Sequence, residues 1–346
     1  MRVFTTLPQE DLRAVGRAAR EIEAEGYDGV VSMENKHDPF LALAVAGVAT
    51  SRIELHTGVA IAFARSPMAV AQVGWDLAGA TEGRFVIGLG SQVRAHNERR
   101  FSVPWSPPAP RMREYVRALR AIWQCWKTGD KLDYQGEHYR FTLMTPNFTP
   151  EPIAPSPPAV MIAAVGPATL RVAAEECDGV KLHGFCTRRY IEESVMPKLT
   201  QGFAKSGRRR ENFEISGGGL LATGPDDETV ARMFEWVRGR VAFYGSTPSY
   251  WPVFELHGLE DLGRKLHAMS REGRWREMAQ EVPDDVVHLF AAVGRYDEIA
   301  GAIEKRYGGL VDAINLRANP ELPGRFPREL IGDIRRLPHA FHGLSR

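Results

Sequence analysis

Short apolar or β-branched runs alternate with helical patterns along the chain, and this alternation constrains the fold more than any other feature. Eight candidate strands cover residues 3–7, 29–33, 53–60, 84–89, 159–165, 179–183, 213–222 and 311–316. Candidate helices follow the first seven of them, at residues 9–25, 38–50, 67–81, 110–129, 167–176, 187–206 and 226–243. Strands that alternate with helices predict a parallel sheet with the helices packed outside it.

Eight such units favour a (β/α)8 TIM barrel, of class α/β, over an open doubly wound sheet. An open sheet of that size would usually carry a glycine-rich dinucleotide fingerprint after its first strand, where this chain has Leu7, Pro8 and Gln9. A length of 346 residues suits one barrel domain over residues 1–346 with insertions. We expect insertions after strand 4, at about 93–110 and 131–158, and after strand 7, at about 245–293.

Composition excludes several classes of partner. A formal net charge of +1 and 44% hydrophobic residues argue against an electrostatic nucleic-acid or membrane partner. No stretch reaches the roughly 20 apolar residues of a spanning helix, so we expect a cytoplasmic protein. The three cysteines, Cys125, Cys177 and Cys186, lack metal-ligand or disulfide spacing. We expect them to be free thiols, and we expect no metal.

Two helical segments almost lack charged residues. Residues 39–50 carry none, and residues 67–80 carry only Asp76. A helix that is apolar all round must be covered on both sides. A second subunit would provide this cover, which predicts a homodimer through helices at about 39–50 and 67–81. The alternative is that an insertion or the C-terminal tail covers them.

Unusual residues cluster where strands end, which is where α/β barrels bind ligands. Gly58 lies inside the pattern of strand 3, as expected for a bulge or a close backbone approach to a ligand. Strand 4 ends in IGLGSQ, followed by a basic cluster that contains His96. After strand 5, Gly166 and Pro167 turn directly into a helix whose first turn, with Thr169, is suited to an anion.

Strand 2 leads into the polar run Glu34 to Asp38. Asp38 precedes Pro39 and is a good helix N-cap. His37 or Glu34 could transfer a proton beside a redox ring.

The motifs MENKHDPF, GVAIAFARSPMAVAQ, GRFVIGLGSQVRAHNERRFSVPW, YQGEHYRF and IAAVGPAT occur together. This combination resembles the bacterial-luciferase-like superfamily, and within it the deazaflavin-dependent oxidoreductases of actinobacteria. The resemblance covers nearly the whole chain. It implies a (β/α)8 barrel that binds coenzyme F420, or less often flavin mononucleotide (FMN), at the carboxyl ends of its strands.

The resemblance also implies roles for single residues. A non-proline cis peptide near Gly58 and Val59, in a bulge that runs on to Ala60, would support the cofactor ring. The segment from Gly88 to His96 would line the ring and the side chain of the cofactor, and the turn from Ala164 to Thr169 would bind its phosphate. The candidate cofactor-binding residues are therefore Gly58, Val59, Ala60, Gly88, Gly90, Ser91, His96, Ala164, Val165, Gly166, Pro167 and Thr169.

The expected function is hydride transfer between F420 and a small organic substrate. Glu34 and His37 are the candidate catalytic residues, and Phe63 and Trp105 are candidates for the substrate wall. Trp75 would line the substrate or the subunit interface. In related sugar-phosphate dehydrogenases an acid and a histidine are adjacent at the end of strand 2, whereas Glu34 and His37 are three positions apart. A sugar phosphate is therefore not the expected substrate. The alternatives are an FMN-dependent two-component monooxygenase and a non-catalytic barrel that binds a flavin-like ligand.

Overall fold

The computed structural model describes residues 1–152, 156–217, 219–317, 322 and 325–344. The chain folds as a closed (β/α)8 barrel, as the sequence predicts. Its parallel strands, β1 to β8, are Arg2–Thr6, Gly29–Ser32, Glu54–Thr57, Phe85–Gly90, Ala159–Ala164, Gly179–Leu182, Glu214–Gly217 and Ala313–Asn315. The sheet order is β3-β2-β1-β8-β7-β6-β5-β4, and a further pairing of β3 with β4 closes it.

The chain divides into two compact units. The first, called the N-terminal unit, comprises Phe4–Lys181, Lys198–Glu214 and Phe341–Arg346. The second, called the C-terminal unit, comprises Met1–Val3, Leu182–Pro197 and Ile215–Ala340. The single domain over residues 1–346 stays a prediction.

Helices of the N-terminal unit form where the apolar pattern has helical spacing. The first, Leu12–Glu25, buries Val15, Ala19 and Ile22 on one face, and the Asp11 side chain caps it by accepting from the Arg13 N–H. It ends at Gly26, whose φ of 97° suits glycine. The other helices are Leu41–Ala49, Pro67–Ala80, Arg94–Arg100, Pro108–Thr128, Pro167–Glu176 and most of Met196–Ser206.

Among its described residues, the C-terminal unit has seven helical segments besides 3-10 turns at Pro248–Tyr250 and Met278–Glu281. These segments are Arg188–Tyr190 with its π-helical continuation Ile191–Val195, Asp227–Gly245, Trp251–Glu255, Glu260–Arg271, Asp284–Phe290, Ile299–Tyr307 and Arg328–Arg335. Asp226 caps the longest of them by accepting from the Thr229 N–H. Within the described residues, no helix is long and apolar enough to cross a bilayer.

The prediction of one strand over residues 213–222 is wrong. The barrel strand ends at Gly217, and a second strand, Leu220–Gly224, pairs in parallel with Ala291–Arg295 in a separate sheet. Residue 218 lies outside the described part of the chain. The residues at 245–293 are largely helical, but they end in this unpredicted strand. The two strands follow one another within a few residues and differ in their partners, Ala313–Asn315 for the first and Ala291–Arg295 for the second.

The other two insertions also differ in detail. The stretch at 93–110, expected to be an insertion, begins with the helix Arg94–Arg100. The stretch at 131–158 contains a hairpin, Tyr134–Gln135 with Arg140–Phe141, and its residues 153–155 lie outside the described part. Helix 38–50 was predicted to start at Asp38 but starts at Leu41, although the Asp38 carboxylate still accepts from the N–H of Phe40 and Leu41.

The two apolar helices are covered differently. Trp75 of the helix Pro67–Ala80 is 3% exposed, and its indole donates to the Glu151 carbonyl, so the insertion covers part of this helix. In contrast, Leu41 and Val48 of the helix Leu41–Ala49 are 57% and 76% exposed. Cys125, Cys177 and Cys186 are buried free thiols.

Candidate functional site

The carboxyl end of β3 departs from regular strand geometry at Gly58. The peptide bond between Gly58 and Val59 is cis, which confirms the expectation drawn from the resemblance. The Gly58 N–H donates to the Ser32 carbonyl at 2.7 Å, and a short strand, Ala60–Ile61, then runs beside β4. The strand predicted over 53–60 is therefore interrupted, and its final residues form a bulge at the barrel rim.

Protein atoms fill the space beside three of the predicted glycines. A Cβ on Gly58 would lie 2.1 Å from a methyl group of Val31, and one on Gly90 would lie 2.5 Å from a methyl group of Val59. A Cβ on Gly88 would lie 2.1 Å from the Thr57 carbonyl oxygen. These glycines allow close packing of neighbouring strands. The structure therefore gives the Gly88 and Gly90 positions a packing role, beside which the role in cofactor binding stays a prediction.

Glu34, at the end of β2, holds the residues that follow the bulge. Its carboxylate accepts from the Ile61 N–H at 2.7 Å and from Nη1 of Arg65 at 2.7 and 2.8 Å. Nη2 of Arg65 donates to Asp38 at 2.9 Å. Burial lowers the pKa of Arg65, but Glu34 and Asp38 outweigh it and hold this pKa above its ordinary value. The geometry thus makes Glu34 a positioning residue for the bulge.

His37 lies on the same loop but in a different environment. Its side chain is exposed, whereas only 6% of the Glu34 side chain is accessible. The two candidate catalytic residues are therefore not presented as a pair, and of the two only His37 faces solvent.

Arg111, at the start of the helix Pro108–Thr128, connects three segments around the bulge. Its guanidinium lies 4.4 Å from the ring centre of Phe63, and its Nε donates to the Tyr139 hydroxyl at 3.0 Å. It also donates to the Pro104 carbonyl at 3.2 Å. Phe63 is only 4% exposed beneath this contact, so it supports the loop rather than forming an open wall. Trp105 is half-buried, and its contact with substrate stays a prediction.

Asn97 organises the exit from β4. The residue is 1% exposed, and its amide donates to the carbonyls of Ser91 and Val93 at 2.9 and 3.1 Å. His96, its neighbour, is exposed on the helix Arg94–Arg100, and Ser91 is half-buried. Buried Asn97 thus shapes the turn that was expected to line a cofactor, whereas His96 points away from the packed interior.

The exit from β5 has an accessible helix N-terminus. The helix starts at Pro167, with Gly166 as its N-cap, and the Leu170 N–H donates to the Gly166 carbonyl at 3.1 Å. Pro167 and Ala168 are exposed and Thr169 is half-buried. A Cβ on Gly166 would meet no atom within 4 Å, so the space above the turn is open. The backbone N–H groups of this first turn lack intrahelical acceptors and can hold an anion.

These three exits are neighbours in one sheet. β4 pairs with β5, with Leu89 opposite Ile162, and on its other side Ala60 lies opposite Leu89 and Ile61 opposite Gly90. The bulge, the Asn97-supported turn and the helix N-terminus therefore line one side of the barrel rim. Of the other candidates, Val59 and Val165 are half-buried, while Ala60 and Ala164 are buried.

Sequence reasoning did not single out Arg65 or Arg111, and it gave Asn97 no role of its own within the basic cluster after strand 4. Arg65 stands in the motif GVAIAFARSP, but its partner Glu34 lies 31 residues earlier. Asn97 lies in the run of mostly charged residues RAHNERR, and the sequence does not show that its side chain is the buried one. No local pattern distinguishes such residues from ordinary surface polar residues.

A group of possible metal ligands lies on the hairpin. Glu114, Glu137 and His138 place one ligand atom each within 4.8 Å of one another. The Glu114 carboxylate already accepts from the backbone N–H groups of Glu137, His138 and Tyr139. This carboxylate therefore caps the hairpin turn.

Comparisons with a family profile and with known proteins agree on the family of this chain. The profile of the luciferase-like monooxygenase family matches residues 2–313. The uncharacterized protein Rv1360 of Mycobacterium tuberculosis is 47% identical over 309 residues, covering 89% of this chain and 91% of that protein. Rv3520c of the same organism, called a putative coenzyme F420-dependent oxidoreductase, is 29% identical over 84% of this chain and 86% of its own length.

Solved structures share the fold. The coenzyme F420-dependent tetrahydromethanopterin reductase of Methanopyrus kandleri superposes with a TM-score of 0.76 at 19% identity, over 97% of this chain and 98% of that chain. The FMN-bound oxygenating component of 3,6-diketocamphane monooxygenase of Pseudomonas putida superposes with a TM-score of 0.64 at 14% identity, over 100% and 99% of the two chains. The match over residues 2–313 and the 47% identity to Rv1360 show that the chain belongs to the luciferase-like monooxygenase family.

Proposed function

We propose that this protein is an F420-dependent oxidoreductase that transfers a hydride between the deazaflavin and a small organic substrate. Membership of the family supports an enzyme of this kind, and the name of Rv3520c supports F420 over other cofactors. The observation that carries the proposal is the open turn at Gly166, which offers the first N–H groups of a helix directly after β5.

The residues at the rim fit an anionic, planar cofactor. The N–H groups of Ala168 and Thr169 would hold a phosphate, since a helix N-terminus with open space above it favours negative charge. The bulge after β3 and the turn after β4 would flank the ring. When bound, F420 supplies or accepts the hydride at C5.

The side chains of this chain would orient the substrate and move a proton. Glu34 and Arg65 would keep the bulge in place, because the carboxylate binds both the guanidinium and the Ile61 N–H. His37, exposed at the end of β2, would donate or accept the substrate proton.

The second candidate is an FMN-dependent monooxygenase that receives reduced flavin from a partner reductase. The fold shared with the diketocamphane monooxygenase favours this alternative. A non-catalytic barrel that binds a flavin-like ligand is a third possibility.

Fluorescence titration of the purified chain with F420 and with FMN tests these alternatives. We expect F420 to bind at least tenfold more tightly than FMN, a difference of about 1.4 kcal/mol. Gly166→Val should weaken F420 binding about tenfold, because the added side chain would occupy the open space above the turn. Gly301→Val, at a glycine with equally open surroundings, is the control. Tight FMN binding without F420 binding would support the monooxygenase, and binding of neither would reject both enzymes.

We also propose that the chain forms a homodimer through the helix Leu41–Ala49. Leu41 and Val48 leave an apolar surface on this helix, and a second copy of the same surface would cover it. Because the insertion covers Trp75, the helix Pro67–Ala80 would contribute to the dimer interface only through its remaining exposed face.

A further inference from the structure

A group of aromatic and cationic residues in the C-terminal unit has no role in the function proposed above. His183 follows β6 directly, and Arg317 follows β8 by two residues. Arg240 and Tyr244 lie near the end of the helix Asp227–Gly245, and Tyr250 ends the 3-10 turn after it. These five residues are called the Arg240–Arg317 recess.

His183 is held as a neutral ring with a defined tautomer. Its Nδ1 accepts from the Phe185 N–H at 3.0 Å, so in the neutral ring the proton is on Nε2. The imidazole stacks on Tyr250 at 4.4 Å and meets the edge of Tyr244 at 4.5 Å. Burial, with the positive charges of Arg317 and Arg240, lowers the pKa of His183 to about 4. At neutral pH the ring therefore offers an uncharged N–H donor.

Donors in the recess lack acceptors. Within the described residues, neither Nε2 of His183 nor the Tyr250 hydroxyl has a hydrogen-bond partner. Burial raises the pKa of Tyr250 to about 12, so this hydroxyl also keeps its proton. Two N–H or O–H donors at one place are suited to an acceptor that the protein itself does not supply.

The positive charge of the recess is not balanced by carboxylates. Across the described part of the chain, neither Arg240 nor Arg317 forms an ion pair. Arg240 donates to the Tyr244 hydroxyl and lies over aromatic rings, at 4.7 Å from Tyr244 and 5.3 Å from Phe243. Burial and the charge of Arg240 lower the pKa of Arg317, although Tyr244 opposes them. Two neighbouring guanidinium groups without an acid create a positive potential that attracts an anion.

The recess residues are accessible to a ligand. Arg317 is exposed. His183, Arg240, Tyr244 and Tyr250 are half-buried.

We propose that the Arg240–Arg317 recess binds the carboxylate or phosphate group of an organic anion that has a planar apolar body. The guanidinium fork of Arg317 would bind two oxygens of the anionic group, and Nε2–H of His183 would donate to one of them. Arg240 orients Tyr244 and adds positive charge. Rings of Tyr250 and Tyr244 favour a flat apolar body over an inorganic ion, because aromatic faces stack on such groups.

Isothermal titration calorimetry on the full chain, without added cofactor, tests this proposal. The probes are benzoate and phenyl phosphate, with benzyl alcohol as the neutral probe and inorganic phosphate as the anion without an apolar body. We expect at least one aryl anion to bind tenfold more tightly than benzyl alcohol and inorganic phosphate, and the better of the two identifies the anionic group. Added salt should weaken this binding.

Substitutions locate the binding. Arg317→Met should weaken it at least tenfold, and Arg317→Lys should restore part of it because the charge returns without the fork. Arg276→Met, at an exposed arginine elsewhere in the C-terminal unit, should leave it unchanged. Unchanged melting temperatures verify that the variants are folded. Equal affinity for benzyl alcohol and benzoate, or no effect of Arg317→Met, would overturn the proposal. Because no F420 is present, the outcome is separate from that of the cofactor titration.

Discussion

Replacement of Glu34 by glutamine distinguishes a positioning role from a catalytic one. The change keeps the size of the side chain but removes the charge that faces Arg65 at 2.7 Å. It can still accept one hydrogen bond from the Ile61 N–H, so the loss is mainly electrostatic.

The structure sets the magnitude. At 4 Å and an effective dielectric constant of 20, an ion pair contributes about 4 kcal/mol, and loss of one buried partner costs about 3 to 5 kcal/mol. Here 22% of the Arg65 side chain is accessible, and Asp38 remains bound at 2.9 Å. We therefore expect Glu34→Gln to lower the free energy of unfolding by about 2 kcal/mol.

Denaturant unfolding with an unchanged m-value measures this effect. The control is Glu98→Gln, which breaks the exposed pair with Arg94, whose side chain is 70% accessible, and should cost less than about 0.5 kcal/mol. A double-mutant cycle with Arg65→Met isolates the pairwise term. Equal effects of Glu34→Gln and Glu98→Gln would refute the reasoning. Loss of turnover with full stability and intact cofactor binding would instead identify Glu34 as the proton-transfer residue.

Three further predictions follow from single positions. Gly88→Ala should lower the melting temperature by about 5 °C, because its Cβ would lie 2.1 Å from the Thr57 carbonyl; an unchanged melting curve contradicts this. His183 should remain neutral in an NMR titration down to about pH 4. The ring of the unfolded chain binds a proton near pH 6.5. The free energy of unfolding should therefore be unaffected by His183 above that pH, and should fall by up to about 1.4 kcal/mol per pH unit between pH 6.5 and pH 4. His183→Gln should remove this pH dependence of the free energy of unfolding. The same pH dependence in the wild type and the variant would be inconsistent with a buried, neutral His183. Val48→Glu should give a monomer in size-exclusion chromatography with light scattering, whereas Leu143→Glu, at a side-chain position 78% exposed on the hairpin insertion, should not.

Local patterns were sufficient for most of the barrel. Seven predicted strands agree with the structure to within about three residues at either end, because each strand is a short apolar run bounded by turn residues. The helix 167–176 was predicted at its observed bounds, since Gly166 and Pro167 mark its start. The pattern failed at 213–222, where two consecutive strands belong to different sheets.

The sequence predicted where the candidate site lies but not the roles of its residues. Strand ends with glycines correctly marked the rim, and the resemblance placed the cis peptide at Gly58 and Val59. The sequence could not show that Glu34 binds Arg65, or that Phe63 lies beneath Arg111. Nor could it show that His183 meets Tyr250, which lies 67 positions later in the numbering of the chain.

The sequence by itself therefore determined the succession of strands and helices, the fold class and the family, because these depend on periodicity and on motifs within short segments. Only the tertiary structure decided which glycines serve packing, which carboxylate is held in an ion pair and which cations lack one. These properties arise from side chains that are distant in the chain and meet only after folding. Their energies depend on burial and on distances of a few ångströms, which no local pattern encodes.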